Sequence, residues 1–437
     1  MSGINDHRRR SQHFSDRIKA FDPFYSALWL KRFCHRVLRC RPFQPHRLGI
    51  RFLLGLGLAL GLATLTLATA ILQPMSYSVA NALSESVELG HDTRLFGTPD
   101  MPQGDRAALI SAIDHSLSYL NSAAAQQAYA DYAIPGITRD RVRRSVSRFR
   151  ELVQQSCTPE ALQQAVAENF EFYRSTGNNG QGRVAFTGYF EPTYAASRVP
   201  TETYRYPLYQ APRDLSQWPQ PHPTRAELEG VDGLQASQGP LQGLELVWLR
   251  DRLEAFLVQV QGSARLQLTD GSVMSVGYAG RTDYAYTSLG RLLINDGKVR
   301  EEDLSLPVLL DYFQANPEAL NQYLPQNNRF VFFRATNGEP PTGSLSVPVT
   351  ANRSIATDKS LMPPGALALI NVALPTRQQS EDWQFIPISA YVLDQDTGGA
   401  IRGPGRVDLF IGTGTEAGDR AGLINTDGSL YYLLLKE

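Results

Sequence analysis

The stretch DQDTGGAIRGPGRVDLFIGTG, Asp394 to Gly414, sets several carboxylates among glycines and apolar residues. Asp396, Thr397 and Gly398 form the Asp-Thr-Gly triplet of an aspartic protease loop, while Asp408 stands alone beside Val407, Leu409 and Phe410. Two carboxylates brought together serve peptide hydrolysis when they share a proton, or glycoside cleavage when one protonates the leaving oxygen. A third reading is structural, with the aspartate accepting backbone N–H groups in a Gly-rich turn. A pepsin-like site needs two such triplets, and this chain has one. A dimeric protease contributes one per subunit, but from a chain far shorter than 437 residues.

Other chemistries have less to work with. Beyond residue 73 the histidines are His91, His115 and His222, none at metal-ligand spacing, so no metal and no other cofactor is expected. Cys157 is the one cysteine in that part of the chain, which leaves no intrachain disulfide there. Residues 1–51 hold 12 Lys and Arg against 3 acids, whereas the whole chain has 42 against 43. The larger part is therefore acidic, which argues against nucleic acid as a partner.

The basic segment meets an uncharged run, Phe52 to Leu72, long enough to cross a bilayer. Positive charge on the near side places residues 1–51 in the cytoplasm and the remainder outside it. A cleaved signal peptide, with Ala68 to Ala70 as its processing site, is the alternative.

Residues 103–174 read as helical. Ile110, Ile113, Leu117 and Leu120 form one stripe, Val142, Val146, Phe149 and Leu152 another, and Thr158-Pro159-Glu160 opens a third helix through TPEALQQAVAENFEFY. From residue 183 the pattern is β: RVAFTGYFEPTY and AFLVQVQGSARLQLTDGSVMSVGY alternate with period two, Thr269 to Gly271 reads as a hairpin turn, and the proline-rich stretch Pro200 to Pro223 reads as a domain crossing.

Beyond the Asp394 to Gly414 block, FTGYFEP, VQVQGSARLQLTDGS, YAGRTDYAYTSLGRLLINDG, NNRFVFF and ATDKSLMPPG occur in order from about residue 180. Together they resemble the membrane-bound lytic murein transglycosylase A family, whose C-terminal 3D domain carries three aspartates. The resemblance implies a mainly β fold with N-terminal helices. A double-psi β-barrel from residues 80–200 and 340–437 is expected to bear an inserted smaller β-barrel, 201–339, with a glycan groove between them. The three aspartates fall on Asp358, Asp396 and Asp408, and the family's catalytic acid falls on Asp408.

The chemistry of the residues is compatible with that assignment. Asp408 in an apolar strand is placed to lose solvation and hold its proton, whereas Asp396, among backbone donors, is expected to stay ionised. Asp358, beside Lys359 and ahead of Pro363-Pro364-Gly365, suits a structural ion pair or turn as well as a catalytic role. Tyr189, Glu191, Gln261, Gly262 and Ser263 are groove candidates or strand packing. Thr282-Asp283 departs from the family's usual Asn-Gly, and no cysteine between residue 41 and Cys157 permits the family's lipid anchor. The expected partners are peptidoglycan glycan strands and, through the N-terminal segment, the membrane. The expected function is cleavage of the β-1,4 bond between N-acetylmuramic acid and N-acetylglucosamine. The rivals are a catalytically silent peptidoglycan-binding protein of this fold and a hydrolase using Asp396 and Asp408 as a pair.

Overall fold

The structure is a computed structural model that describes residues 79–81, 90–97, 103–130, 132, 134–377 and 382–437. The basic segment 1–51 and the apolar run Phe52 to Leu72 lie outside the described residues. Among the described residues no helix is long and apolar enough to cross a membrane.

Four helices precede the barrels: α1 (Arg106–Leu120), α2 (Ala123–Ala130), α3 (Arg139–Gln155) and α4 (Pro159–Asn169). In α3 the Thr138 hydroxyl caps the Arg141 N–H at 3.1 Å, and the expected stripe Val142, Val146, Phe149 and Leu152 is buried. In α1 the buried face is turned by about one residue, to Leu109, Ile113, Ser116 and Leu120, with Ile110 and Leu117 at its margin. The expected start of α4 is present, with Thr158 accepting from the Ala161 N–H and Pro159 in the first turn. Its expected end is not. The helix stops at Asn169, and Phe170–Ser175 becomes a strand, because a long C-terminal strand supplies ladder partners for its backbone and Phe170 enters the core.

The first sheet has eight strands: β1 (Val79–Asn81), β2 (Phe170–Ser175), β3 (Val184–Glu191), β10 (Ser354–Ala356), β11 (Leu367–Thr376), β12 (Gln384–Asp396), β13 (Arg406–Thr413) and β14 (Asn425–Leu435). Six of these close into a ring in the order β14, β11, β12, β10, β13, β3, since β14 pairs with both β11 and β3. The pairs β10–β12 and β13–β3 are parallel and the rest of the ring is antiparallel, as the double-psi barrel requires. The second sheet has six strands: β4 (Thr193–Ser197), β5 (Tyr206–Tyr209), β6 (Glu245–Leu249), β7 (Ser263–Leu268), β8 (Val273–Arg281) and β9 (Val331–Ala335). A bridge between Gln210 and Phe333 closes it into the smaller barrel. The fold is thus the mainly β, two-barrel architecture expected.

Two expectations, one strand and one crossing, are corrected here. AFLVQVQ does not extend β7 backwards: Arg252–Gln261 is a helix, opened by the Asp251 carboxylate on the Leu253 N–H at 2.6 Å and ended by Gly262 at φ 81°. Its apolar run suits either period, and the Asp cap and Gly stop decide for the helix. The Pro200 to Pro223 stretch is more than a crossing, because Tyr206–Tyr209 within it is a barrel strand. The Thr269 to Gly271 turn does join β7 to β8, with Gly271 at φ 83°.

The helices are locked to the ring by a buried charge network. The Arg353 guanidinium, fully buried, donates to Asp92 at 2.6 Å, to Asp105 at 2.5 Å and to the Tyr391 carbonyl at 2.8 Å. Two acids and a carbonyl satisfy the fork, which is what makes a buried cation tolerable.

Candidate active site

The site is assembled by register. On β10, Ala356 lies opposite Asp396 of β12 on one side and opposite Asp408 of β13 on the other. Two strand spacings put the two aspartate backbones about 10 Å apart across one central strand. The alignment depends on a bulge: Ile355 faces Asp394, Ala356 faces Asp396, and Gln395 is the extra residue. The side chain of Gln395 is buried, donating to the Ala112 carbonyl at 2.7 Å and accepting from Ser354 at 2.5 Å.

Asp408 faces Thr187 of β3 on its far side. The Thr187 hydroxyl donates to Asp408 Oδ1 at 2.9 Å and is itself held by Arg406, which donates to it at 3.0 Å. Asp408 Oδ2 has no hydrogen-bond partner among the described residues. Although its surface is only half-buried, desolvation dominates: it pushes the Asp408 carboxyl up to about 6, against the opposing pull of Thr187 and Arg406 and with a further push from Asp396. An oxygen without a partner on a carboxyl titrating near neutrality is where a transferable proton belongs.

Asp396 is furnished differently. Its Oδ1 accepts from the Ser344 and Thr397 N–H groups, both at 2.8 Å, and its Oδ2 accepts from the Tyr189 hydroxyl at 2.9 Å. The backbone donors expected from the turn are present, yet burial outweighs them and the carboxyl sits above its ordinary value. Tyr189 packs on Phe410 with ring centroids 5.2 Å apart, so the hydroxyl that reaches Asp396 belongs to a ring lodged two residues along from Asp408.

Asp358 closes a turn. Burial pushes it up, but the Ser360 hydroxyl at 2.7 Å, the Gly403 N–H at 2.9 Å, the Ser360 N–H and Arg402 prevail, holding it below the usual range. Its neighbour Lys359 pairs instead with Asp394, which is fully buried and also accepts from Thr357 at 2.7 Å and Tyr432 at 2.6 Å. Asp394 thus anchors the strand that ends in Asp396, a role the triplet motif two residues on does not reveal.

The remaining candidates cluster where the chain crosses between barrels. Glu191 is 1% exposed, and its carboxylate accepts from Thr413 at 2.8 Å and faces Arg265 of β7 at 3.5 Å. Gln261 accepts the Phe190 N–H at 3.1 Å, Gly262 ends its helix, and Ser263 begins β7, largely buried. These residues fasten β3 to the smaller barrel, whereas Tyr189, Asp396 and Asp408 gather on one side of the ring. Thr187, Arg406, Ser344 and Arg329 were not singled out from sequence. Thr187 lies within the quoted FTGYFEP block, but its pairing with Asp408 is a consequence of the parallel register.

A desolvated carboxyl with an unpartnered oxygen, set across a strand from a fully hydrogen-bonded one on a barrel that carries a second barrel as insert, has the chemistry that enzymes of the polysaccharide-cleaving class use. The chain matches the MltA specific insert domain over residues 185–334 and the 3D domain over residues 353–434. It is 33% identical to membrane-bound lytic murein transglycosylase A of Vibrio cholerae over 293 residues, which is 66% of this chain and 75% of that protein. It belongs to the membrane-bound lytic murein transglycosylase A family. Among solved structures, a membrane-bound lytic murein transglycosylase of Agrobacterium tumefaciens superposes with a TM-score of 0.61 at 26% identity, covering 79% of this chain and 97% of that one. Escherichia coli MltA with bound chitohexaose shares the fold, with a TM-score of 0.59 at 24% identity over 84% of this chain and 100% of that one.

Proposed function

We propose that this chain, a peptidoglycan lytic transglycosylase by family, cleaves the β-1,4 bond between N-acetylmuramic acid and N-acetylglucosamine with Asp408 as acid and then base. The observation that carries this reading is the unpartnered Oδ2 of Asp408 on a carboxyl pushed up to about 6. Protonated, it donates to the glycosidic oxygen as the bond breaks and positive charge grows at the muramic acid C1. Ionised, it takes the proton of that sugar's C6 hydroxyl, whose oxygen bonds to C1. No water is consumed. Asp396, its lone pairs engaged by Ser344, Thr397 and Tyr189, contributes position.

An acid of this kind sets the pH profile. Because the reactive form is protonated, kcat/KM should fall about tenfold per pH unit above about 6. Thr187→Val removes a hydrogen bond that favours the ionised form, so the falling limb should move to higher pH. A limb that stays in place in Thr187→Val would assign it to another group.

We propose the two sheets as two domains, with the crossing drawn back from residue 200 to Pro192, since Thr193–Ser197 already belongs to the smaller barrel. The charge pattern of residues 1–72 supports a cell-envelope protein held at the inner membrane with its barrels outside the cytoplasm. Protease added to intact spheroplasts should therefore digest the barrels and spare residues 1–51. Full protection of the barrels, with a cytosolic control intact, contradicts that orientation.

A further inference from the structure

Arg329 belongs to the smaller barrel, two residues before β9, yet its guanidinium lies against the Gly398-Gly399 turn of the ring. A Cβ placed on Gly399 would fall 1.5 Å from Nη1, so glycine at 399 is what admits it. Its Nε donates to the Tyr284 carbonyl at 3.2 Å, and neither Nη has a hydrogen-bond partner among the described residues, although Arg329 is only 9% exposed.

Two further arginines converge on it. Arg281 ends β8 opposite Val331, and the next residue, Thr282, donates its N–H to the Phe330 carbonyl at 2.9 Å, which sets Arg281 beside Arg329 at one end of the barrel. Arg402, three residues beyond Gly399, is largely exposed and 3.8 Å from Asp358. Burial, Arg281 and Arg402 all push the Arg329 pKa down, with Tyr278 and Tyr286 opposing, and no carboxylate is among these neighbours. A buried cation between two others is costly until an anion completes it. The planar fork of arginine matches a carboxylate.

We propose that Arg329, flanked by Arg281 and Arg402, binds a carboxylate carried by the muramic acid substituent of the substrate. The inference rests on the peptidoglycan reading above and deepens it. Sugar hydroxyls and N-acetyl groups are neutral. The substrate's anions are the lactyl carboxylate where the peptide has been removed, or the peptide's own carboxylates where it remains. The site lies three residues from Asp396, so the contact would select and orient the muramic acid ring at the point of cleavage.

The test uses the full chain carrying Asp408→Asn, with equilibrium binding to peptide-stripped glycan chains, to peptide-bearing chains, and to both after carbodiimide amidation of their carboxyls. Adding Arg329→Gln should weaken binding to carboxylate-bearing chains by about tenfold and leave binding to amidated chains unchanged. Arg402→Gln, at an exposed position that does not threaten the fold, should give a smaller loss of the same selectivity, and Arg329→Lys should retain part of the affinity. A loss confined to stripped chains assigns the lactyl carboxylate, and one confined to peptide-bearing chains assigns a peptide carboxylate. An equal loss on amidated chains, or none on any chain, overturns the proposal. Residual turnover by Asp408→Asn itself would count against the cleavage mechanism and leave this comparison of affinities readable.

Discussion

Asp408→Asn should lower turnover of purified sacculi by at least about a hundredfold, the range in which loss of a proton donor registers, while leaving the protein folded and able to bind glycan. The amide keeps the side chain's size and can still accept from the Thr187 hydroxyl through its oxygen. What it cannot do is give a proton and take one back. The same substitution should raise thermal stability at pH 8. A carboxyl whose folded pKa is pushed up to about 6 from 3.8 contributes stability present below the lower value and lost as pH rises through the higher one. Above that window the wild type carries a poorly solvated charge that the amide lacks. Loss of activity with gain of stability separates a catalytic role from a structural one. Asp396→Asn should cost less activity and act partly through stability: with its oxygen on the Ser344 and Thr397 N–H groups, its NH2 faces the Tyr189 hydroxyl, which must turn from donor to acceptor. Activity of Asp408→Asn within about tenfold of wild type would remove Asp408 from the role.

How far the sequence carried can be argued residue by residue. The alternation in RVAFTGYFE and the cap at Thr158 depend on neighbours within a few residues, and β3 and the start of α4 lie where local pattern puts them, whereas Pro192 breaks the run and passes Thr193 and Tyr194 to the other sheet. AFLVQVQ failed because an apolar run fits either period, and its cap and stop were the missing signals. FEFY failed for a tertiary reason, since β14, more than 250 residues later, gives that segment its ladder along its whole length, and β1 joins it only at Tyr173. At the site, the block around Asp396 and Asp408 was legible as a motif, but their alignment on Ala356 depends on a bulge at Gln395 that no spacing reveals. Asp394 escaped notice beside the Asp-Thr-Gly triplet because its partners Lys359 and Tyr432 come from two other segments. Thr187 and Arg329 reach the site across a parallel pairing and across the two barrels, respectively, and neither relation has a linear signature.

The product should carry non-reducing 1,6-anhydromuramic ends. One carboxyl, Asp408, has an oxygen free to move a proton, and the other, Asp396, has its oxygens occupied, so the site offers no evident base for a second reactant such as water. The C6 hydroxyl is delivered by the substrate itself, and an intramolecular nucleophile held in place outruns solvent by a large effective concentration. Each cleavage should therefore yield an end about 18 Da lighter than a hydrolysed one, the mass of the water not added. The decisive measurement is mass spectrometry of a sacculus digest performed in oxygen-18 water. The account predicts unlabelled anhydro ends and no label at newly formed muramic acid termini. Oxygen-18 at new muramic acid reducing ends would show that water attacked C1, and would replace the transglycosylase mechanism with a hydrolase in which Asp396 and Asp408 work as a pair.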